Sequence, residues 1–299
     1  RRRARPAGRK QPTIRVHNLS KQTRRRIFKA WRLHAGALAS ASDENSLLNL
    51  WASLEALLPT TVTGGARIEQ MCTLLLPFLV AGYPKKLIGD FLQSLKTCGW
   101  EKLCPILSDI PEGRNDFERC AALITLGSNK EQREKVYRVA ETNPLLRYRL
   151  YRLHTKMASP KALIELFTEH RQRLDWHIRR IYRMRNMIVH TGSTLPYTRR
   201  LDEKLHSYVD WVFTVVEEYS RRLGLRTVAA IAQEMKLYQD AQMTRLQECK
   251  GEPFTSENFL PLVLGPYERR DDPGDKVTQY SSPAAMKIDK QPDQTKLDG

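Results

Sequence analysis

Cysteine is scarce in this sequence, and none of it has the spacing of a disulfide framework or a zinc knuckle. Cys72, Cys98, Cys104, Cys120 and Cys249 are odd in number and form no CxxC pair. They are expected to be buried thiols in a reducing compartment, the cytoplasm. Long apolar runs are missing too. None approaches the ~18 to 20 residues of a spanning helix, and the most apolar stretch, 73–81, is interrupted by Pro77, so no membrane partner is expected. No apolar segment follows the basic N-terminus, which argues against a secretory signal. The chain opens on Arg rather than Met, as a fragment or a processed chain would. There is no GxxxxGK[ST] or GxGxxG loop to cradle a nucleotide phosphate. No elbow marks a Ser or Cys nucleophile, and no cofactor is expected.

Acidic residues are absent from one region. Residues 1–42 hold 13 Lys and Arg and no Asp or Glu, which leaves 37 basic against 33 acidic residues elsewhere, a net of +4 out of +17. The excess is therefore an N-terminal feature. We read 1–42 as a flexible basic arm or the remnant of an upstream domain. Such an arm attracts RNA, DNA or an anionic membrane by counterion release, or is simply a solvated tail.

Beyond it the pattern is helical nearly throughout. The first clear helix is expected from about Asp43 to Leu58, with Ser42 as N-cap and Pro59 as stop. Leu47, Leu50, Trp51, Leu54, Leu57 and Leu58 recur on one stripe. The longest element starts at Ser159-Pro160, a capping residue followed by proline, and runs to about His190, where Thr191-Gly192 ends it. Its stripe is Leu163, Phe167, Leu174, Ile178, Ile181 and Ile188. A further helix over 201–223 turns Leu205, Val209, Val212, Val216 and Leu223 inward, and a last one covers about 227–249. From Gly251 the chain carries six prolines and few apolar residues apart from 259–267, a composition expected to be disordered. With no repeat and no alternating strand pattern, the expected fold is all-α, a helical bundle over 43–250 with a flexible tail over 251–299.

The chemistry is expected at the end of the long helix. Six arginines against one acid, Asp175, lie between Arg171 and Arg185. Arg179, Arg180 and Arg183 are the expected phosphate contacts. Cleavage of RNA by its own 2′-hydroxyl needs a base, an acid and a cation beside the phosphorane. A histidine can serve as base or acid, and an arginine supplies a permanent planar charge, with no metal required. At ~100° per residue, Asn186 and His190 share a face, whereas Arg185 and His190 are ~140° apart. Either the helix deforms at Thr191-Gly192, or two copies of the chain complete the site. Arg185 falls on the apolar stripe and needs a partner. Glu55, one turn after Trp51, is the expected one; the alternative is that Glu55 reaches water at the edge of its stripe.

The string Met184-Arg185-Asn186-Met187-Ile188-Val189-His190-Thr191-Gly192 resembles the Arg-Asn-x-x-x-His signature of HEPN domains. Leu50-Trp51-x-x-Leu54-Glu55-x-Leu57 is similar to the first-helix pattern of the Apea-like HEPN subgroup. The resemblance covers about 43–223. It implies a helical homodimer in which two motifs face a shared cleft, and metal-independent endoribonuclease activity. His190 would be the acid-base residue, Arg185 the phosphate-stabilising cation and Asn186 a polar orienter. It also implies a prokaryotic antiviral or toxin system that cuts tRNA or other RNA, with a sensor domain or regulatory partner. The competing reading is a non-catalytic RNA- or protein-binding dimerisation module. His170 and His177 lack the carboxylate or thiolate that would complete a metal site, so none is expected. His17, His34 and His154 are expected to be exposed, and Trp176, Tyr182 and Trp211 to be core.

Overall fold

The structure is a computed structural model that describes residues 19–58 and 67–265. They form twelve α-helices and one 3-10 turn, with no strand. The fold is all-α, a helical bundle. The described residues gather into two compact units. One holds 19–58, 67–75 and His177–Ala232; the other holds Leu76–Trp176 and 233–265. The stretch 43–250, read from the sequence as one domain, is thus divided. The boundary falls inside α3 (Arg67–Val80), α9 (Pro160–Thr191) and α11 (Val228–Glu248).

The first unit is built on three helices. In α2 (Asp43–Leu57) the Ser42 hydroxyl accepts from the Asn45 N–H, and Asp43 and Glu44 favour the positive N-terminal end of the helix. Leu47, Leu50, Trp51, Leu54, Leu57 and Leu58 are all buried, as the stripe requires. This face packs between α1 (Lys21–Ala39) and α10 (Thr198–Leu223). From α10 come Leu205, Val209, Val212 and Val216, all buried, whereas Leu223 in the last turn is 46% exposed and does not join them. Burying a side chain of this size contributes roughly 1.5–3 kcal/mol.

Helix α1 corrects one expectation. The segment 21–39 is no arm: Ser20 caps it, and Thr23, Ile27, Ala30, His34 and Ala37 form a buried stripe at spacings of three and four. The Ser53 hydroxyl donates to the buried Ala30 carbonyl at 2.7 Å, which fixes α1 against α2. Lys21, Arg24, Arg25, Lys29 and Arg32 are exposed on the other faces. The charge run concealed an amphipathic helix because its inner residues, Ile27 apart, are small or polar. The remainder of the expected arm, 1–18, lies outside the described residues.

His34 was expected to be exposed and is fully buried. Its Nε2 lies 3.0 Å from Asp210 Oδ1 but is not aligned with it as a hydrogen bond. His206, one turn before Asp210, places Nδ1 3.2 Å from Oδ2. Burial works to raise the Asp210 pKa, but the hydrogen bond with His206 and the close approach of the His34 ring outweigh it and hold the carboxyl below its ordinary value.

The second unit comprises α4 (Tyr83–Thr97), α5 (Trp100–Ser108), α6 (Asp116–Thr125), α7 (Lys130–Val139), α8 (Pro144–Met157) and α12 (Phe259–Leu264), with parts of α3, α9 and α11. The expected tail begins too early at 251, because Phe254, Phe259, Leu262, Val263 and Leu264 are buried. Its remaining residues, 266–299, lie outside the described ones. Two amides of α11 are buried here: Gln239 Nε2 donates to the Pro77 carbonyl at 3.0 Å and Gln242 Nε2 to the Leu262 carbonyl at 2.9 Å. The His170 ring stacks on Tyr83 with centroids 3.4 Å apart. Burial, then Arg173, push its pKa down to about 4, against a smaller opposing effect of the Leu79 backbone. His154, expected to be exposed, is half-buried with Nδ1 2.7 Å from the Ile124 carbonyl.

The five cysteines are free; Cys72 and Cys120 are buried, but against expectation Cys104 and Cys249 are half-buried and Cys98 is exposed. Among the described residues no single helix is long and apolar enough to cross a membrane.

Candidate functional site

The motif lies on the last two turns of α9, within the first unit. Ser159 starts the helix by accepting from the Ala162 N–H. Leu163, Phe167, Leu174, Ile178, Ile181 and Met184 are buried along it, but Ile188 is only half-buried. The inward stripe therefore fades where the motif starts. Helical geometry persists to Thr191, and Gly192, with φ of 64°, ends it in the left-handed region that glycine adopts at little cost. No kink redirects His190.

Arg185 and Asn186 are half-buried, and Arg185 Nη1 donates to Asn186 Oδ1 at 3.0 Å. Two neighbours in sequence thus form one polar unit. His190 is exposed and makes no hydrogen bond, ion pair or ring contact with a described residue. A regular helix keeps Arg185 and His190 on diverging sides, so one chain leaves them unpaired with each other.

The expected pair of Glu55 and Arg185 does not form. Glu55 Oε1 accepts from the Trp51 indole N–H at 2.7 Å, and its other oxygen meets Arg67 Nη2 at 3.0 Å. The i,i+4 spacing on α2 aims the carboxylate back along its own helix, and the first residue of α3 supplies the cation. With a side chain 16% exposed, Glu55 also does not stand free in water at the edge. The role it was assigned, orienting Arg185, is not one this geometry provides. Trp51 instead packs its ring 5.4 Å from that of Tyr182 on α9.

The three arginines expected to contact phosphate separate. Arg179 is committed to Glu69 through two hydrogen bonds of 2.6 and 2.8 Å. Arg183 is exposed. Arg180 is exposed and stands over the Tyr197 ring, 5.7 Å from its centroid. Arg180 and Tyr197 line an open groove of about 600 Å³ together with His177, Arg200, Leu201, Glu203 and Lys204. Glu203 is shared with Arg199 at 3.4 Å, so Arg180, Arg200 and Lys204 give the groove a positive balance. On its wall, His177 Nδ1 lies 2.9 Å from the Tyr208 hydroxyl. Burial pushes the Tyr208 pKa up to about 12, so at neutral pH it is a phenol able to donate to that nitrogen. The His177 pKa is lowered by burial first, then by Arg180 and Lys204, which keeps the imidazole neutral there.

No family model, curated protein or solved structure matches the chain.

The groove was not read from the sequence, although Arg199, Arg200 and Lys204 open α10 directly after the motif. The signal was present: basic residues within two turns of Tyr197, on the element that follows an arginine-rich helix. Trp176, expected to be core, is 62% exposed, while Tyr182 and Trp211 are half-buried.

Proposed function

We propose that this chain is a metal-independent endoribonuclease of the HEPN type, acting in the cytoplasm as a homodimer that completes its active site from two copies. The observation that carries the reading is the state of the motif: a solvent-facing His190 with no competing partner among the described residues, one turn beyond the Arg185–Asn186 pair. In the reaction, the ribose 2′-hydroxyl gives up its proton and attacks the adjacent phosphorus. The bond to the 5′-oxygen breaks, leaving a 2′,3′-cyclic phosphate and a 5′-hydroxyl. One His190 takes the 2′-hydroxyl proton, and a second, from the other copy, returns one to the leaving oxygen. Arg185 stabilises the charge that develops on phosphorus, and Asn186 orients it. Two copies are needed because a straight helix keeps Arg185 and His190 of one chain apart. Arg180 and Arg183 hold the RNA backbone; Arg179, already paired with Glu69, contributes least. The substrate class is RNA, with tRNA the first to test. A prokaryotic antiviral or toxin setting, with a sensor or regulatory partner, follows from the resemblance alone.

The test is to incubate the purified chain with total RNA and with tRNA in EDTA, beside His190→Ala and Arg185→Ala variants of verified fold. Cyclic-phosphate-ended fragments from the wild type alone support the enzyme. A second reading, a non-catalytic RNA-binding module, draws on a separate observation: the basic groove contains Arg180, Tyr197, Arg200 and Lys204 but not His190. Binding that depends on Arg180 and Lys204, with RNA left whole by every form, favours that reading.

A further inference from the structure

We propose that His34, His206 and Asp210 form a zinc site that clamps α1 to α10. The three side chains each offer one ligand atom, and these atoms lie within 4.8 Å of one another. The two rings approach different oxygens of the one carboxylate, His34 Nε2 at 3.0 Å from Oδ1 and His206 Nδ1 at 3.2 Å from Oδ2. A tetrahedral zinc with bonds of ~2.0–2.1 Å sets its ligand atoms ~3.3 Å apart, so small side-chain movements close the set around an ion. The donors suit the metal, since imidazole and carboxylate are common zinc ligands, and three protein ligands leave one position for water or an added anion.

Burial gives independent support. His34 is 0% exposed and His206 3%, yet His34 Nδ1 and Nε2 and His206 Nε2 make no hydrogen bond. Buried imidazole nitrogens without partners are costly. Asp210 carries a largely buried negative charge, and among the described residues these two rings meet it and no Lys or Arg pairs with it. A divalent cation at the centre supplies the missing positive charge and engages the His34 Nε2 that now points at the carboxylate out of line. The backbone is suited to the task as well. His206 and Asp210 are one turn apart on α10, a spacing that lets a rigid helix present two ligands on one face, and His34 arrives from α1 across the interface.

This site shares no residue with the motif on α9, so the inference stands or falls separately from the ribonuclease reading. The experiment uses the full chain, stripped with EDTA and dialysed. Titration with Zn2+ is expected to show uptake of one ion per chain and a rise of several degrees in Tm. The Asp210→Asn and His206→Ala variants are expected to lose at least ~100-fold in affinity, since even outer-sphere partners cost 10–100-fold. Should either variant unfold, Co2+ added to the wild type provides the second measurement, with visible d–d bands of tetrahedral intensity that excess Zn2+ abolishes. No uptake and no bands would leave the cluster a hydrogen-bonded clamp only and overturn the proposal. Unchanged affinity in both variants would overturn it too, by putting the ion elsewhere.

Discussion

Two histidine environments in the first unit invite comparison. His190 stands in solvent at the end of a helix, with no partner among the described residues. His34 is sealed between helices against a carboxylate and a second imidazole, its ring centroid 4.5 Å from that of His206. The first is open to a substrate but adds nothing to packing. The second cannot reach a substrate, and its cost or benefit falls entirely on the stability of the fold. The same residue type thus serves opposite ends of the chain from structure to function, and burial decides which.

The sharpest way to break this contrast is activity. His190→Ala is expected to lower RNA cleavage by about 10²- to 10⁴-fold, the usual contribution of general acid-base catalysis, measured by gel or cyclic-phosphate detection. Retained cleavage would place the chemistry elsewhere. Next in size is acid sensitivity, carried by the half-buried His170 of the second unit. His170 has a folded pKa of about 4 against 6.5 unfolded, so the unfolded chain binds more protons between those values. The stability it contributes is complete above about pH 6.5 and declines as pH falls towards 4, by no more than about 3 kcal/mol and less for its partial exposure. Urea unfolding at pH 7 and pH 5 measures it. A His170→Phe variant, which keeps the stack on Tyr83, should flatten the dependence. His34→Ala should cost about 2 kcal/mol from lost packing and broken polar contacts, while His190→Ala stays within about 0.5 kcal/mol. Equal losses would abolish the distinction. The smallest effect concerns Glu55: Arg67→Ala, which removes a largely exposed partner, is expected to cost under about 1 kcal/mol in the same assay.

Much of the architecture could be read from local pattern. Helices α2 and α9 announced themselves because their caps, Ser42 and Ser159-Pro160, and their apolar stripes agree. Helix α1 did not, because a stripe of Thr23, Ala30, His34 and Ala37 has little hydrophobic contrast and basic residues surround it. The motif was legible as adjacent residues at a helix end, but its exposure was not, since the spacing put Arg185 on the apolar stripe. The partner of Glu55 was not, since Arg67 is brought to it by the path of the chain, and nothing in the spacing of α2 reveals that. The His34–Asp210–His206 cluster was hidden for the same reason: its halves lie more than 170 residues apart. Its one local trace was His206 and Asp210 at i,i+4 beside the buried Leu205 and Val209.

The paired amides of α11 have a consequence for alignment. Gln239 and Gln242 each spend a donor on a backbone carbonyl, and a Cβ at Gly265 would come within 2.6 Å of the Gln242 side chain. Apolar packing alone tolerates a helix that slides or rotates by a step, because one leucine contact resembles another. A slid α11 would strand two amides in a dry interior, at about 1–3 kcal/mol each. These glutamines therefore act as detents, admitting one setting of the helix and penalising its neighbours.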